Sequence, residues 1–341
     1  MKKRVIGLLM AVVMSVLALT GCGGSGGVST TAASASGEAK KASFKIGIYL
    51  WPSWYEWFVA EEKGYFEAAG LDVELVPFTS YSDMLQAFYS GKINVVGATV
   101  CDMIAGYNEG KDFKITLVND YSTGADAIVF GNEISSPEDI KGKNVAVEVG
   151  TLEHYMLLTA LDKWGIKQDE ITVTNMSMSD AAPAMLSGSV QIAAMADPYG
   201  AQVVDAGKGT KYFTSGDVPG LISDATAVSG ELIRDYPEDV QKLTDVWYQT
   251  VDWVNANKEE GIEIMAKEAE LSAEEYTLLF DGVTILTRDQ MAKGFTEKKD
   301  DYTYVPYVAK QNADFLLGQE LVKESRESYD GMFDGSFVIN K

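Results

Sequence analysis

The chain has 341 residues, 46% hydrophobic and 11% aromatic, enough for one large packed domain or two ordinary ones. Its 50 Asp and Glu outnumber 28 Lys and Arg, for a net charge of −22, which repels nucleic acid and anionic lipid and excludes nucleic-acid binding. With one histidine, two cysteines and no HExxH or CxxC spacing, the sequence supports neither a zinc site nor a hydrolase triad. It reads as a non-enzyme with no metal and no cofactor.

In chain order, Lys2, Lys3 and Arg4 come first, then an apolar run from Val5 to Leu19. A basic head, a short apolar stretch and small residues at a cut describe a secretory signal over residues 1–21. The run falls short of the roughly 20 residues a spanning helix needs. Leu19-Thr20-Gly21-Cys22 resembles a bacterial lipobox, which implies a lipid on Cys22. Residues 22–42, rich in Gly, Ser, Thr and Ala, read as the lipidated cysteine and a flexible tether. The expected location is the outer face of the cytoplasmic membrane, in the periplasm or at the cell surface. Cys101 then has no partner, so no internal disulfide is expected.

Strands and helices alternate from there. Phe44–Leu50 reads as a strand, Tyr55–Ala69 as a helix closed by Gly70, Leu71–Val76 as a strand and Ser82–Tyr89 as a helix. Ile93–Gly97, Asp102–Asn108 and Lys114–Tyr121 continue as strand, helix, strand. The pattern restarts with Ile128–Phe130, a short helix opened by Ser136-Pro137, Asn144–Val149, and a helix from Thr151 to Trp164 that Gly165 ends. Ile171–Asn175, Asp180–Leu186, Ile192–Ala196 and Tyr199–Ala206 follow as strand, helix, strand, helix. Tyr236–Asn257, Gly261–Lys267, Ala273–Phe280 and Tyr307–Leu317 have helical periodicity. The order argues for an α/β fold with mainly parallel sheets.

The segment Ala60–Leu75 (AEEKGYFEAAGLDVEL) resembles the N-terminal element of solute-binding proteins of the nitrate/sulfonate/taurine group, which serves ABC importers. Phe88–Asn94 (FYSGKIN), Ile134–Val147 (ISSPEDIKGKNVAV) and His154–Ile166 (HYMLLTALDKWGI) extend the resemblance from about Phe44 to about Ala206. It implies a two-lobed type 2 periplasmic-binding-protein fold, with two hinge crossings near Ala127–Phe130 and Ser223–Ser229 and the last helices packed on lobe 1. Residues 43–128 and 228–341 would form lobe 1, and residues 129–227 lobe 2. It also implies an ABC permease and its ATPase as partners, a small-molecule ligand, and a monomer.

Ligands in open α/β sheets sit beyond the carboxyl ends of strands. The turns after the expected strands hold Trp51 and Trp54, then Cys101 and Asp102, then Asp126, then Thr151, Glu153 and His154, then Asp197; Asp224 belongs to the returning segment. These ten residues are the candidate ligand-binding set. Trp51, Trp54 and Trp57 share helical spacing, so one or two belong to the core. Asp102 and Asp197 also suit helix starts. A sulfonate or nitrate wants hydroxyls and free N–H groups at a helix start. Here Thr151 remains, but Leu152-Glu153 fill the rest of that turn. Asp224 sits where the resemblance implies the carboxylate that meets the ammonium of taurine. The residues therefore favour a small cationic or zwitterionic nitrogen compound: a guanidinium or amidine, a taurine-like amine, or the aminopyrimidine precursor of thiamine. The alternatives are a sulfonate, taurine or nitrate-type anion, a sensor that delivers nothing to a permease, or an extracytoplasmic enzyme.

Overall fold

The structure, a computed structural model, describes residues 41–339. The expected signal and the expected lipidation site, Cys22, lie outside the described residues. β1 (Ser43–Ile48) leads through Trp51 into α1 (Pro52–Glu62), which has proline at its first position, where no helical N–H partner is lost. The single helix expected over Tyr55–Ala69 is two. Gly64, at φ 68°, breaks it, and α2 (Tyr65–Ala68) restarts beyond. That left-handed backbone favours glycine. β2 (Asp72–Pro77), α3 (Tyr81–Tyr89), β3 (Val95–Thr99), α4 (Val100–Asn108) and β4 (Phe113–Ser122) follow. Ser80 caps α3 by accepting from the Asp83 N–H, and Thr99 caps α4 by accepting from the Asp102 N–H.

The second stretch holds β5 (Asp126–Gly131), a 3-10 turn at Pro137–Ile140, β6 (Asn144–Val147), α5 (Leu152–Trp164), β7 (Thr172–Asn175) and α6 (Met178–Leu186). β8 (Ile192–Ala196), α7 (Tyr199–Asp205), β9 (Gly209–Thr214) and β10 (Ser223–Ser229) complete it. The tail comprises α8 (Gly230–Asp235), α9 (Pro237–Ala256), α10 (Lys258–Glu268), α11 (Ala273–Asp281), β11 (Val283–Ile285), α12 (Arg288–Thr296), α13 (Val305–Gly318) and α14 (Ser336–Ile339).

The strands form a six-stranded sheet, β11-β4-β10-β3-β1-β2, and a five-stranded sheet, β7-β6-β8-β5-β9. Each has a parallel half, β2-β1-β3 in one and β7-β6-β8 in the other. Each also has an antiparallel half, because β10 runs against β3 and β4, and β5 against β8 and β9. The sheets are therefore mixed. The reversed strands lie where the chain passes from one sheet to the other, at residues 123–125 and 215–222. β9 and β11, which periodicity did not reveal, are edge strands, and β9 is only partly buried.

Trp57 anchors the first layer. It is fully buried, 5.0 Å from the Trp247 ring of α9 and stacked on Phe66 of α2 at 5.9 Å. α9 and α10 pack on α1, α13 on α4, and α14 on β4. α13 also reaches α5, where Phe315 stacks on Tyr155 at 4.5 Å. β10 is buried along almost its whole length, yet it carries Asp224 and Thr226. Thr226 donates to Asn119 of β4 at 2.9 Å. The register sets Asp224 between Thr99 of β3 and Asp120 of β4. That places one carboxylate on each of two adjacent buried strands.

Candidate functional site

A cavity of about 550 Å³ lies at the carboxyl ends of β1, β3, β6 and β8 and at the starts of β5 and β10. Its wall is partly aromatic. Trp51 caps the start of α1, and its Nε1 donates to Asp120 Oδ2 at 3.1 Å. Trp54, one turn on, is mostly buried and shows an edge to the cavity. Its ring lies nearly parallel to Tyr81, 14° between planes with centroids 6.3 Å apart. Tyr49 and Tyr199 add two further rings to the lining.

Gly97 of β3 makes room for Trp54. A methyl group there would sit 2.6 Å from Trp54 Cγ. Gly97→Ala is therefore expected to push the indole toward the cavity, at about 1–3 kcal/mol of stability. A lowered melting temperature with a changed tryptophan emission checks this; wild-type values for both would contradict it.

The rest of the wall is acidic. Six carboxylates line the cavity, those of Asp102, Asp126, Glu148, Glu153, Asp197 and Asp224, and no Lys, Arg or His joins them among the described residues. Asp102 Oδ2 accepts from Thr99 Oγ1 at 2.7 Å and from Tyr81 OH at 3.0 Å, while Tyr81 OH accepts from the Thr99 N–H at 3.0 Å. Asp126 accepts from Ser122 Oγ, which pairs in turn with Ser215 Oγ at 2.8 Å. Thr151 is the N-cap residue of α5, but its hydroxyl donates back to Glu148 O at 2.8 Å. Glu153 therefore enters the first turn as a buried acid near free N–H groups, which favour its negative charge.

Burial dominates the titration of these acids, because a charged carboxylate loses its hydration there. It raises Asp102, despite the hydrogen bonds from Thr99 and Tyr81, and it raises Glu153. Asp126 rises to about 7 through burial and the nearby Glu153 charge. Asp224 rises well above the usual carboxylate range through burial, then the charges of Asp120 and Asp126. Among the described residues, no three His, Cys, Asp or Glu side chains come together as a metal site.

Eight of the ten residues expected from the sequence line this cavity: Trp51, Trp54, Asp102, Asp126, Thr151, Glu153, Asp197 and Asp224. Two of the ten lie elsewhere, and one that lines the cavity has partners of its own. Cys101 is absent from the lining; its thiol is buried on the core side of α4, and burial raises its pKa. His154 is also absent from the lining. Its Nδ1 accepts from the Gly150 N–H at 3.2 Å, and its ring meets Phe315 edge-on at 5.8 Å. Asp197 reaches the cavity but is already committed, to Lys211 Nζ at 2.5 Å and to the Ala201 N–H at 2.9 Å. Lys211 also donates to Gly124 O at 3.0 Å, so this ion pair ties β9 to the segment between the sheets. The sequence reading missed Asp120, whose signal is an acid inside the otherwise buried strand β4.

Residues 51–261 match the family model described as NMT1/THI5 like. The chain belongs to that family. A Brucella abortus protein named "Putative binding protein BAB2_1146" is 28% identical over 255 residues, 70% of this chain and 77% of that protein. The Bacillus subtilis "Putative aliphatic sulfonates-binding protein" is 27% identical over 264 residues, 75% of this chain and 76% of that protein. The Escherichia coli periplasmic aliphatic sulphonate binding protein SsuA superposes with a TM-score of 0.72 at 20% identity, covering 89% of this chain and all of that one. The NMT1/THI5-like chain thus has the periplasmic-binding-protein fold. The ligands in those names are sulfonates, so they lend no support to a cationic solute.

Proposed function

We propose that this protein captures a small nitrogen-bearing solute with a positive charge, cationic or zwitterionic, and delivers it to an ABC permease and its ATPase. The observation that carries this reading is the lining: six carboxylates, of which only Asp197 has a basic partner, Lys211, and no basic side chain in the wall itself among the described residues. A free anion entering that wall meets repulsion, while a cation finds charge-assisted acceptors. The rings of Trp51 and Tyr81 add attraction of about 0.5–2 kcal/mol where a cation meets a ring face. In this reading the two sheets are the cores of two lobes, residues 43–128 with 228–341 and residues 129–227. The chain crossings at 123–125 and 215–222 act as the hinge, and the solute bridges both lobes on closure.

The protein works outside the cytoplasmic membrane, held as a monomer by a lipid on Cys22. The tether raises its effective concentration beside the permease. It is a binding module without turnover.

A second reading has its own support. The names of the relatives favour a sulfonate or taurine-type ligand. A thermal-shift panel of guanidinium, simple amines, aminopyrimidines, sulfonates and nitrate separates the two, since a ligand stabilises by RT ln(1 + [L]/Kd). Stabilisation by the nitrogen cations supports the first reading. Stabilisation by plain sulfonates or nitrate alone replaces it with the second.

A further inference from the structure

Asp120 on β4 and Asp224 on β10 stand directly opposite each other in the antiparallel register. Residues so placed have Cβ atoms about 4.5–5.5 Å apart. Both are at least 99% buried, and Asp120 Oδ1 and Asp224 Oδ2 lack any hydrogen-bond partner. Asp224 opens on the cavity, whereas Asp120 lies behind it and holds the Trp51 indole. The titratable groups that face the pair from the packed elements are Glu56 of α1, Tyr81 of α3, Asp102 of α4, Asp126 of β5 and Tyr276 of α11. None of them is a cation, and Glu56 is itself buried with Oε2 unpartnered. Two carboxylates this close cannot both stay charged in a buried site unless a positive charge joins them.

We propose that Asp120 and Asp224 form a proton-exchange seat: the unliganded pair shares a proton, and an organic cation entering the cavity expels that proton to solvent. This rests on the cationic reading above. The balance is simple. One O–H bond breaks, the proton leaves to water, and the cation takes over as counter-charge; nothing is oxidised or reduced. The pair titrates as a unit, so no single value belongs to either residue. Affinity for a monocation then rises with pH, approaching about tenfold per pH unit below the titration of the pair, and levels off above it.

Unliganded stability gives a readout that needs no solute. Burial raises both acids. A raised native pKa gives stability that is full below the unfolded value, about 4, and is lost as pH climbs through the native value. The melting temperature is therefore expected to fall between pH 5 and pH 8, and to fall less in Asp120→Asn and in Asp224→Asn. Equal slopes in all three proteins would overturn the shared proton.

The binding arm titrates ethylammonium chloride by calorimetry at pH 5.5 and 7.5, in two buffers of different ionisation heat. The expected result is about one proton released per cation at pH 5.5, fewer at pH 7.5, and at least about tenfold tighter binding at the higher pH. Ethylammonium that binds equally at both pH values without releasing a proton overturns the exchange and leaves the cationic reading standing. Failure of ethylammonium to bind at pH 7.5 removes that reading as well.

Discussion

Asp224→Asn is expected to weaken a cationic solute at least about 30-fold, about 2 kcal/mol or more, while the unliganded fold becomes no less stable at pH 8. The two effects have one cause. Asp224 is buried to 1% exposure at the cavity, facing Asp120 and close to Asp126, with one oxygen unpartnered. Without ligand, ionising it costs desolvation and like-charge repulsion. With a cation bound, it is the acceptor the ligand needs. Asparagine keeps the shape, removes the repulsion and removes the acceptor charge. Calorimetry with ethylammonium, beside thermal unfolding of the same preparation, measures both. A variant that lost stability as well as affinity would show that Asp224 is structural. Opposed effects are the pattern of a site that gives up stability for binding.

The second large effect is expected away from the ligand. Trp57→Ala should cost about 3–5 kcal/mol, since a large aromatic side chain in a closed core leaves a cavity its neighbours cannot fill. Trp57 is 1% exposed and joins α1 to Phe66 of α2 and Trp247 of α9. Denaturant unfolding reads the loss directly. A change below about 1 kcal/mol would mean that the layer under α1 repacks freely. Trp51 and Trp54 belong to the same helix start, so a loosened α1 is expected to weaken binding too.

The strand-end turns were legible because an α/β fold puts its cavity there, and most of the expected residues came from those turns. The two that lie outside the lining are chain neighbours of residues that line it. Cys101 precedes Asp102 and His154 follows Glu153, and one step along a helix turns a side chain by about 100°. Spacing fixed the turn but not which of the two neighbours faced inward. Asp197 lines the cavity and also serves the helix start that its position suited, while its ion pair was not legible because Lys211 comes 14 positions later on β9, an edge strand that periodicity did not expose.

Asp120 was missed for a different reason. It lies within a strand rather than after one, and its importance comes from the antiparallel return of β10 beside β4. Sequence order alone does not pair those strands. That return, with β5 running against β8 and β9 in the other sheet, explains why the sheets are mixed where alternating strands and helices had argued for parallel ones. The isolated acid among Val118, Asn119 and Tyr121 was the available signal, since a charge on a buried strand is rare without a role.

One matched set of ligands tests the central claim, that this cavity selects positive charge. Taurine carries an ammonium and a sulfonate, ethylammonium keeps only the first, and ethanesulfonate keeps only the second. Calorimetric titration of all three at pH 7.5 is predicted to show binding by ethylammonium, and none by ethanesulfonate, against a lining of six carboxylates and no basic group among the described residues. Ethanesulfonate binding as tightly as taurine, with ethylammonium silent, would contradict the account and make this protein a sulfonate binder like those its relatives are named for.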